Sequence, residues 1–281
     1  MMRRRLLRWA GYVAVALVFA VVCVLLSQWQ FARNEGRETQ IRLVEENYDA
    51  PAVPLGDLLP AGAALDPEDE WRPVLLRGEY VPEGQLLVRN RPHGGTSAFE
   101  VLVPFRTDDG RTLIVNRGWV APGEGEVPDV VPAAPTGPVE AVVRLRPQEP
   151  LPPSGRGAPE GQVPSINLGF VADLLESEGL QDPSAPVDAG AYGALVSEDP
   201  APSARPHGFD APSEDPGPHL SYAIQWILFA LMGFVFIGYI IRTEVVKHRE
   251  EAEGRPAREP RRRRDRDMHD EDELLDAAGH R

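Results

Sequence analysis

Cysteine is almost absent from this 281-residue sequence. Cys23 stands alone inside an apolar run, so no internal disulfide is open to it, and an oxidising compartment would leave no signature here. An excess of positive charge is also lacking. The formal charge is −14, and residues 28–218 hold 14 basic against 31 acidic side chains, which removes nucleic acid as a partner. Catalytic signatures are missing too. Ahead of the C-terminal tail the histidines are His93, His207 and His219, with no nucleophile elbow, zinc spacing, phosphate loop or thiol motif beside them. His93 sits in Arg91-Pro92-His93-Gly94-Gly95, which reads as loop, and the carboxylates fall into no acid–base spacing. The chain reads as a non-enzyme.

What the sequence does have is two long apolar runs. The first, Trp9 to Leu26, follows Arg3, Arg4, Arg5 and Arg8. A signal peptide shares that basic-then-apolar order, but this run is long for a signal core and ends in Ser27-Gln28-Trp29-Gln30, not in a small-residue cleavage site. It reads as an uncleaved span over 9–27, with Cys23 a small buried hydrophobe. The second run, Leu220 to Ile241, has about 22 residues, and at ~1.5 Å each they reach about 33 Å, enough for a bilayer core. It reads as a span over 219–242. Arginines precede the first span, and Arg242, Lys247 and Arg249 follow the second, so both termini are expected in the cytoplasm. Residues 28–218 then form an extracytoplasmic domain on a bacterial plasma membrane, crossed twice. Residues 243–281, with Arg261 to Arg264 and Asp270 to Glu273, read as a disordered charged tail.

The polar residues at the head of the second span are the first candidate site. At helical spacing His219, Tyr222 and Trp226 share one stripe, with Gln225 on the next row. An interfacial aromatic belt accounts for Tyr222 and Trp226. Gln225, inside the span, calls for a partner helix, a ligand or water. Just beyond the first span, Trp29, Gln30 and Arg33 begin a helical stalk over 28–47. There Trp29 and Arg33 form either an interfacial Trp beside a snorkelling Arg or a docking face for the second helix or an anion.

Between the spans the pattern turns to strands: Val74 to Tyr80, Gln85 to Arg89, Phe99 to Arg106, Arg111 to Trp119 and Val139 to Arg146. Thr107-Asp108-Asp109-Gly110 is the best hairpin turn. A mainly antiparallel sheet or partial barrel is expected over 71–146, giving an α+β domain between two transmembrane helices. Residues 147–218 read as Pro/Gly-rich loops and linker, with one short helix over Phe170 to Leu180. Within the strands, Asn116, Arg117, Gly118 and Trp119 set a cation, bare backbone and an aromatic side by side. That group suits either a solvated strand end or a carboxylate-holding or partner-facing site.

Three segments occur together and in order: Trp29-Gln30-Phe31-Ala32-Arg33 after a first span, Val115-Asn116-Arg117-Gly118-Trp119 at a strand end, and His219-Leu220-Ser221-Tyr222-Ala223-Ile224-Gln225-Trp226 entering a second span. In this the sequence resembles the Surfeit-locus-one family of cytochrome c oxidase assembly factors, from about residue 9 to 242. The resemblance implies a non-enzymatic factor that helps haem a enter, or stabilises, the catalytic subunit of the oxidase (respiratory complex IV). Its implied partners are that subunit, other oxidase or haem-synthesis proteins and membrane lipid. His219 becomes the candidate haem-iron ligand, and Arg33 and Arg117 the candidate cations for haem propionates. The alternative is a scaffold subunit stably bound to the oxidase or a respiratory supercomplex, with no haem of its own.

Overall fold

The computed structural model describes residues 2–93, 95–124, 127–153, 155 and 157–253. In chain order the elements are α1 (Met2–Asn47), β1 (Val53–Pro54), α2 (Leu55–Leu58), β2 (Pro73–Tyr80), β3 (Leu86–His93), β4 (Thr96–Thr107), β5 (Thr112–Val120), β6 (Val139–Arg146), β7 (Gln162–Val163), α3 (Leu168–Ser177), β8 (Tyr192–Asp199) and α4 (His219–Ala252). They divide into two compact units. One holds the residues up to Asn34 together with those from Pro218, and the other is Glu35–Gly217.

The first unit is a pair of helices, each long and apolar enough to cross a membrane. The chain is a two-span membrane protein with an α+β domain between its spans. Small residues make the contact: Ala16, Cys23 and Ser27 are buried on α1, and Ala223 and Ala230 on α4. A Cβ on Gly233 would lie 3.0 Å from the Phe19 ring. Lipid gives no hydrophobic drive between helices, so close backbone approach through small side chains is what favours pairing. At one end Arg8 forms an ion pair with Glu244, and Trp9 Nε1 donates to the same carboxylate at 2.6 Å. The tail expected to be disordered from 243 is helical as far as Ala252. Thr243 to Glu250 lack proline and glycine, and basic Arg249 sits favourably in the last turn. The rest of the charged tail, from 254, lies outside the described residues.

The second unit is built on a closed ring of strands. β2 pairs antiparallel with β6, β6 with β8, β5 with β4, and β4 with β2, while β8 and β5 run parallel. The sheet thus closes into a five-stranded barrel, and β3 and β7 extend β4 beyond the ring. Alternation decides which side chains fill it. Val74 and Leu76, Val103 and Phe105, Leu113 and Val115, and Val143 and Leu145 are fully buried inside. The other face of β4 and β5 carries Leu102 and Ile114, which meet Leu168, Val171 and Leu175 of α3. α3 starts where Asn167 Oδ1 accepts from Phe170 N at 3.0 Å, two residues earlier than the apolar pattern alone predicts. Closure needs Gly78, whose φ of +155° brings β2 so near β4 that a Cβ would lie 2.0 Å from Arg106 O.

β2 and β3 flank one turn, and both pair with β4. One expectation needs correction. The segment read as linker, 147–218, contains β8, which sits between β6 and β5 and completes the ring. The final turns of α1 belong to this unit as well. Leu43 and Val44 are buried, and Asn47 Nδ2 donates to the carbonyls of Glu68 and Glu70 at 2.7 and 2.9 Å.

Candidate functional site

The helix pair sets His219 at the first position of α4, half-buried, with Nδ1 3.0 Å from Gln30 Oε1 on α1. One turn further in, Ser27 Oγ donates to Ala223 O at 3.0 Å. An amide oxygen can only accept, so in this arrangement Nδ1 donates the bond and Nε2 is left outside it. The stripe expected from spacing is divided. His219, Ala223, Trp226 and Ala230 recur every three or four residues toward α1, whereas Tyr222 is 47% exposed and Gln225 faces outward. Trp226 packs edge-on against Phe229 at 5.7 Å. Gln225 therefore finds no place in the seam, because its row points away from the partner helix. Trp29 is exposed, and the Arg33 guanidinium lies 5.6 Å from its ring centre.

In the barrel the Asn-Arg-Gly-Trp run of β5 sends each residue to a different task. Arg117 continues the inward series of Leu113 and Val115, so its side chain ends inside the barrel with no exposed surface. It forms a 2.8 Å ion pair with Glu198 of β8, donates to Pro132 O at 3.1 Å and lies 5.4 Å from the Tyr80 ring centre. Burial, and then the Glu198 carboxylate, push the Tyr80 hydroxyl above its ordinary pKa. Arg117 is thus a cation enclosed in the barrel, with no exposed surface to offer a propionate. Gly118, at φ +128°, lets the backbone of His207 approach so closely that a Cβ would meet its carbonyl oxygen at 2.2 Å. Trp119 and His207 exchange two backbone hydrogen bonds of 2.9 Å, and Trp119 Nε1 donates to Gly208 O. This pins the segment after residue 205 to the barrel.

Asn116 points outward and enters a polar network that sequence spacing did not reveal. Its amide donates to Glu100 at 2.8 Å, and the same carboxylate receives Arg91 Nε at 2.9 Å and His93 Nε2 at 3.0 Å. Arg91 also holds Glu149, at 2.6 and 3.1 Å. Burial opposes the Arg91 charge, but Glu100 and Glu149 more than offset it and raise its pKa. His93, read as loop, ends β3, and its ring is stacked on Trp119 at 5.1 Å. Glu100 is 5% exposed and already receives three donors. That saturation suits a rigid brace better than a proton-transfer site. Among the described residues no group of three or more His, Cys, Asp or Glu is placed to hold a metal ion. Residues 91, 93, 100, 116 and 149 follow no motif; strand pairing brings the first four together, and backbone and side-chain bonds to Ile166 bring Glu149 beside them.

Comparison with known proteins agrees with the architecture. A sequence model of the SURF1 family matches residues 17–231. An uncharacterised SURF1-like protein of Mycobacterium tuberculosis is 36% identical over 281 residues, covering 97% of this chain and 96% of the relative. The cytochrome oxidase assembly protein SHY1 of Saccharomyces cerevisiae is 26% identical over 114 residues, covering 39% of this chain and 28% of the yeast protein. A SURF1-like protein of Dictyostelium discoideum is 25% identical over 109 residues, covering 37% and 40%.

Proposed function

The chain belongs to the SURF1 family, and from that premise we propose that it is an assembly factor for cytochrome c oxidase that holds haem a as cargo while the catalytic subunit matures. The assembly role is supported by the yeast relative, whose name describes cytochrome oxidase assembly. One observation carries the haem step: the ring of His219 is braced by Gln30 on the neighbouring helix. A metal-binding imidazole is commonly oriented by a hydrogen bond at its other nitrogen, and Gln30 supplies that bond here. Nε2 is then the nitrogen offered to iron.

The side chains nearby fit such a cargo. Tyr222, Trp29 and Trp226 offer aromatic surface, and Arg33 is an exposed cation for a propionate. Arg117 does not fit, since Glu198 consumes it inside the barrel. The basic residues Arg3, Arg4 and Arg8 before one span, and Arg242, Lys247 and Arg249 after the other, favour cytoplasmic termini and an extracytoplasmic barrel.

The test is the optical spectrum of detergent-purified protein from cells that make haem a. Wild type should carry haem, His219→Ala should lose it by about tenfold or more, and Gln30→Leu should lose part of it. Should wild type co-purify with oxidase while carrying no haem, the stably bound scaffold subunit replaces the haem carrier.

A further inference from the structure

We infer that the outer face of the barrel holds a second ligand site, for a small organic oxyanion bearing a carboxylate or phosphate group. The site lies wholly within Glu35–Gly217 and does not rest on the haem reading. Strand register builds its floor: Arg144 of β6 is opposite Ala194 of β8, and Ala194 is opposite Asn116 of β5. The small side chain in the middle of that row leaves a hollow of about 330 Å³, a small-molecule volume larger than a bare inorganic ion needs.

The charges around the hollow are matched unequally. On the β3 side the acid is already saturated, because Arg91 bridges Glu100 and Glu149 at 2.9 and 2.6 Å. On the β6 side the cations are held more loosely by carboxylates, and Asp210 adds a carboxylate to the lining. Arg144 and Arg146 are two residues apart on one strand and face the same way. Their guanidinium carbons lie 3.4 Å from the Tyr48 ring centre and 3.5 Å from that of Trp71, which fixes the position of both cations. Their ion pairs are the longer ones: Arg144 donates from Nε to Tyr48 O at 2.7 Å and reaches Asp49, a side chain 93% exposed, at 3.5 Å, while Arg146 reaches Glu70 at 3.4 Å. Arg146 and Trp71 meet face to face, and neither Arg146 Nε nor Trp71 Nε1 makes a hydrogen bond. An oxyanion in the hollow would compete with the exposed Asp49 carboxylate and with Glu70 for the two guanidinium groups.

A second mark of a ligand site is backbone strain. Trp71 holds φ at +74°, a region that a bulky side chain enters at a cost, and this places its indole beside Arg146. Leu195 and Phe209 add apolar wall, so the ligand has a body as well as a charged head. Phe209 belongs to the segment pinned at His207 and Gly208, which closes one side of the hollow.

Calorimetric titration of the detergent-purified full chain tests the site with benzoate, phenyl phosphate and neutral benzyl alcohol. One of the two anions should bind saturably at one site per chain, and the tighter one identifies the headgroup. Benzyl alcohol should not bind. Arg146→Gln should weaken binding about tenfold. Glu70→Gln removes the carboxylate that competes for Arg146 and should tighten binding about threefold, a gain that a misfolded variant cannot imitate. Equal binding of the neutral probe, unchanged affinity in Arg146→Gln, or no gain in Glu70→Gln would each overturn the proposal.

Discussion

The helix pair and the barrel solve the burial problem in opposite ways. On the helices the large apolar side chains point outward, with Val18 65% and Val235 71% exposed, and the contact between them is made by alanine, cysteine and serine. In the barrel the large side chains are inside, and Phe105, Leu113 and Val143 have no exposed surface. Water drives the second arrangement through apolar burial. Lipid removes that drive, leaving close packing and a few hydrogen bonds to hold the pair. Buried charge follows the same division. The barrel encloses the Arg117 and Glu198 ion pair, while the middle of the helix contact holds only neutral partners such as Ser27 with Ala223 O.

The strongest way to break this contrast is to remove one half of the enclosed pair. Arg117→Ala should cost about 3–5 kcal/mol, because Glu198 would be left without its partner inside the barrel. Urea denaturation followed by circular dichroism reads this directly. The double variant Arg117→Met, Glu198→Leu should recover most of the loss, and equal instability of both variants would show that shape and not charge dominates there. Next in size is Gly118→Ala. The positive φ and the close carbonyl of His207 should together cost about 2–3 kcal/mol, with Trp119 fluorescence shifting to the red as the pinned segment detaches.

The barrel also carries a pH dependence. Burial first raises the Tyr192 hydroxyl, Arg146 partly opposes this, Glu149 and Glu100 reinforce it, and the pKa is pushed up to about 12. A tyrosine raised above its unfolded value near 10 keeps its proton longer in the folded state. Its contribution is therefore complete below about pH 10 and is lost as pH rises toward about 12, at up to about 1.4 kcal/mol per pH unit. Tyr192→Phe should flatten the fall in urea midpoint across that window. An unchanged slope would place the alkaline loss elsewhere.

These regions were unequally legible in the sequence. The spans were plain because long apolar runs have a single common use. The β4–β5 turn was plain because Thr107-Asp108-Asp109-Gly110 has strong turn chemistry. β8 was hidden, since Tyr-Gly-Ala-Leu-Val-Ser-Glu-Asp is poor in β-branched residues and lies between prolines. Its place is fixed by β5 and β6, not by its own propensity. With β8 unseen, Glu198 had no position, and Arg117 stood as an open strand-end cation when the fold makes it an enclosed one. His219 and Gln30 are 189 residues apart, so each was visible as a candidate but not their pairing. The Arg91, His93, Glu100 and Asn116 network arises only from register, and no spacing announces it.

The smallest expected effect lies in the helix contact and sharpens the contrast from its other side. Ser27→Ala removes the hydrogen bond to Ala223 O but keeps the side chain small. Hydrogen bonds between membrane helices contribute on average about 0.6 kcal/mol, because separated helices find other partners. Unfolding of the pair in mixed detergent micelles should shift by about that much, with the urea midpoint of the barrel unchanged. A loss above about 2 kcal/mol would mean that this one neutral bond carries the pairing. His219 and Gln30, one turn away, would then belong to the glue of the pair, and replacing Gln30 would loosen the helices as well as the imidazole.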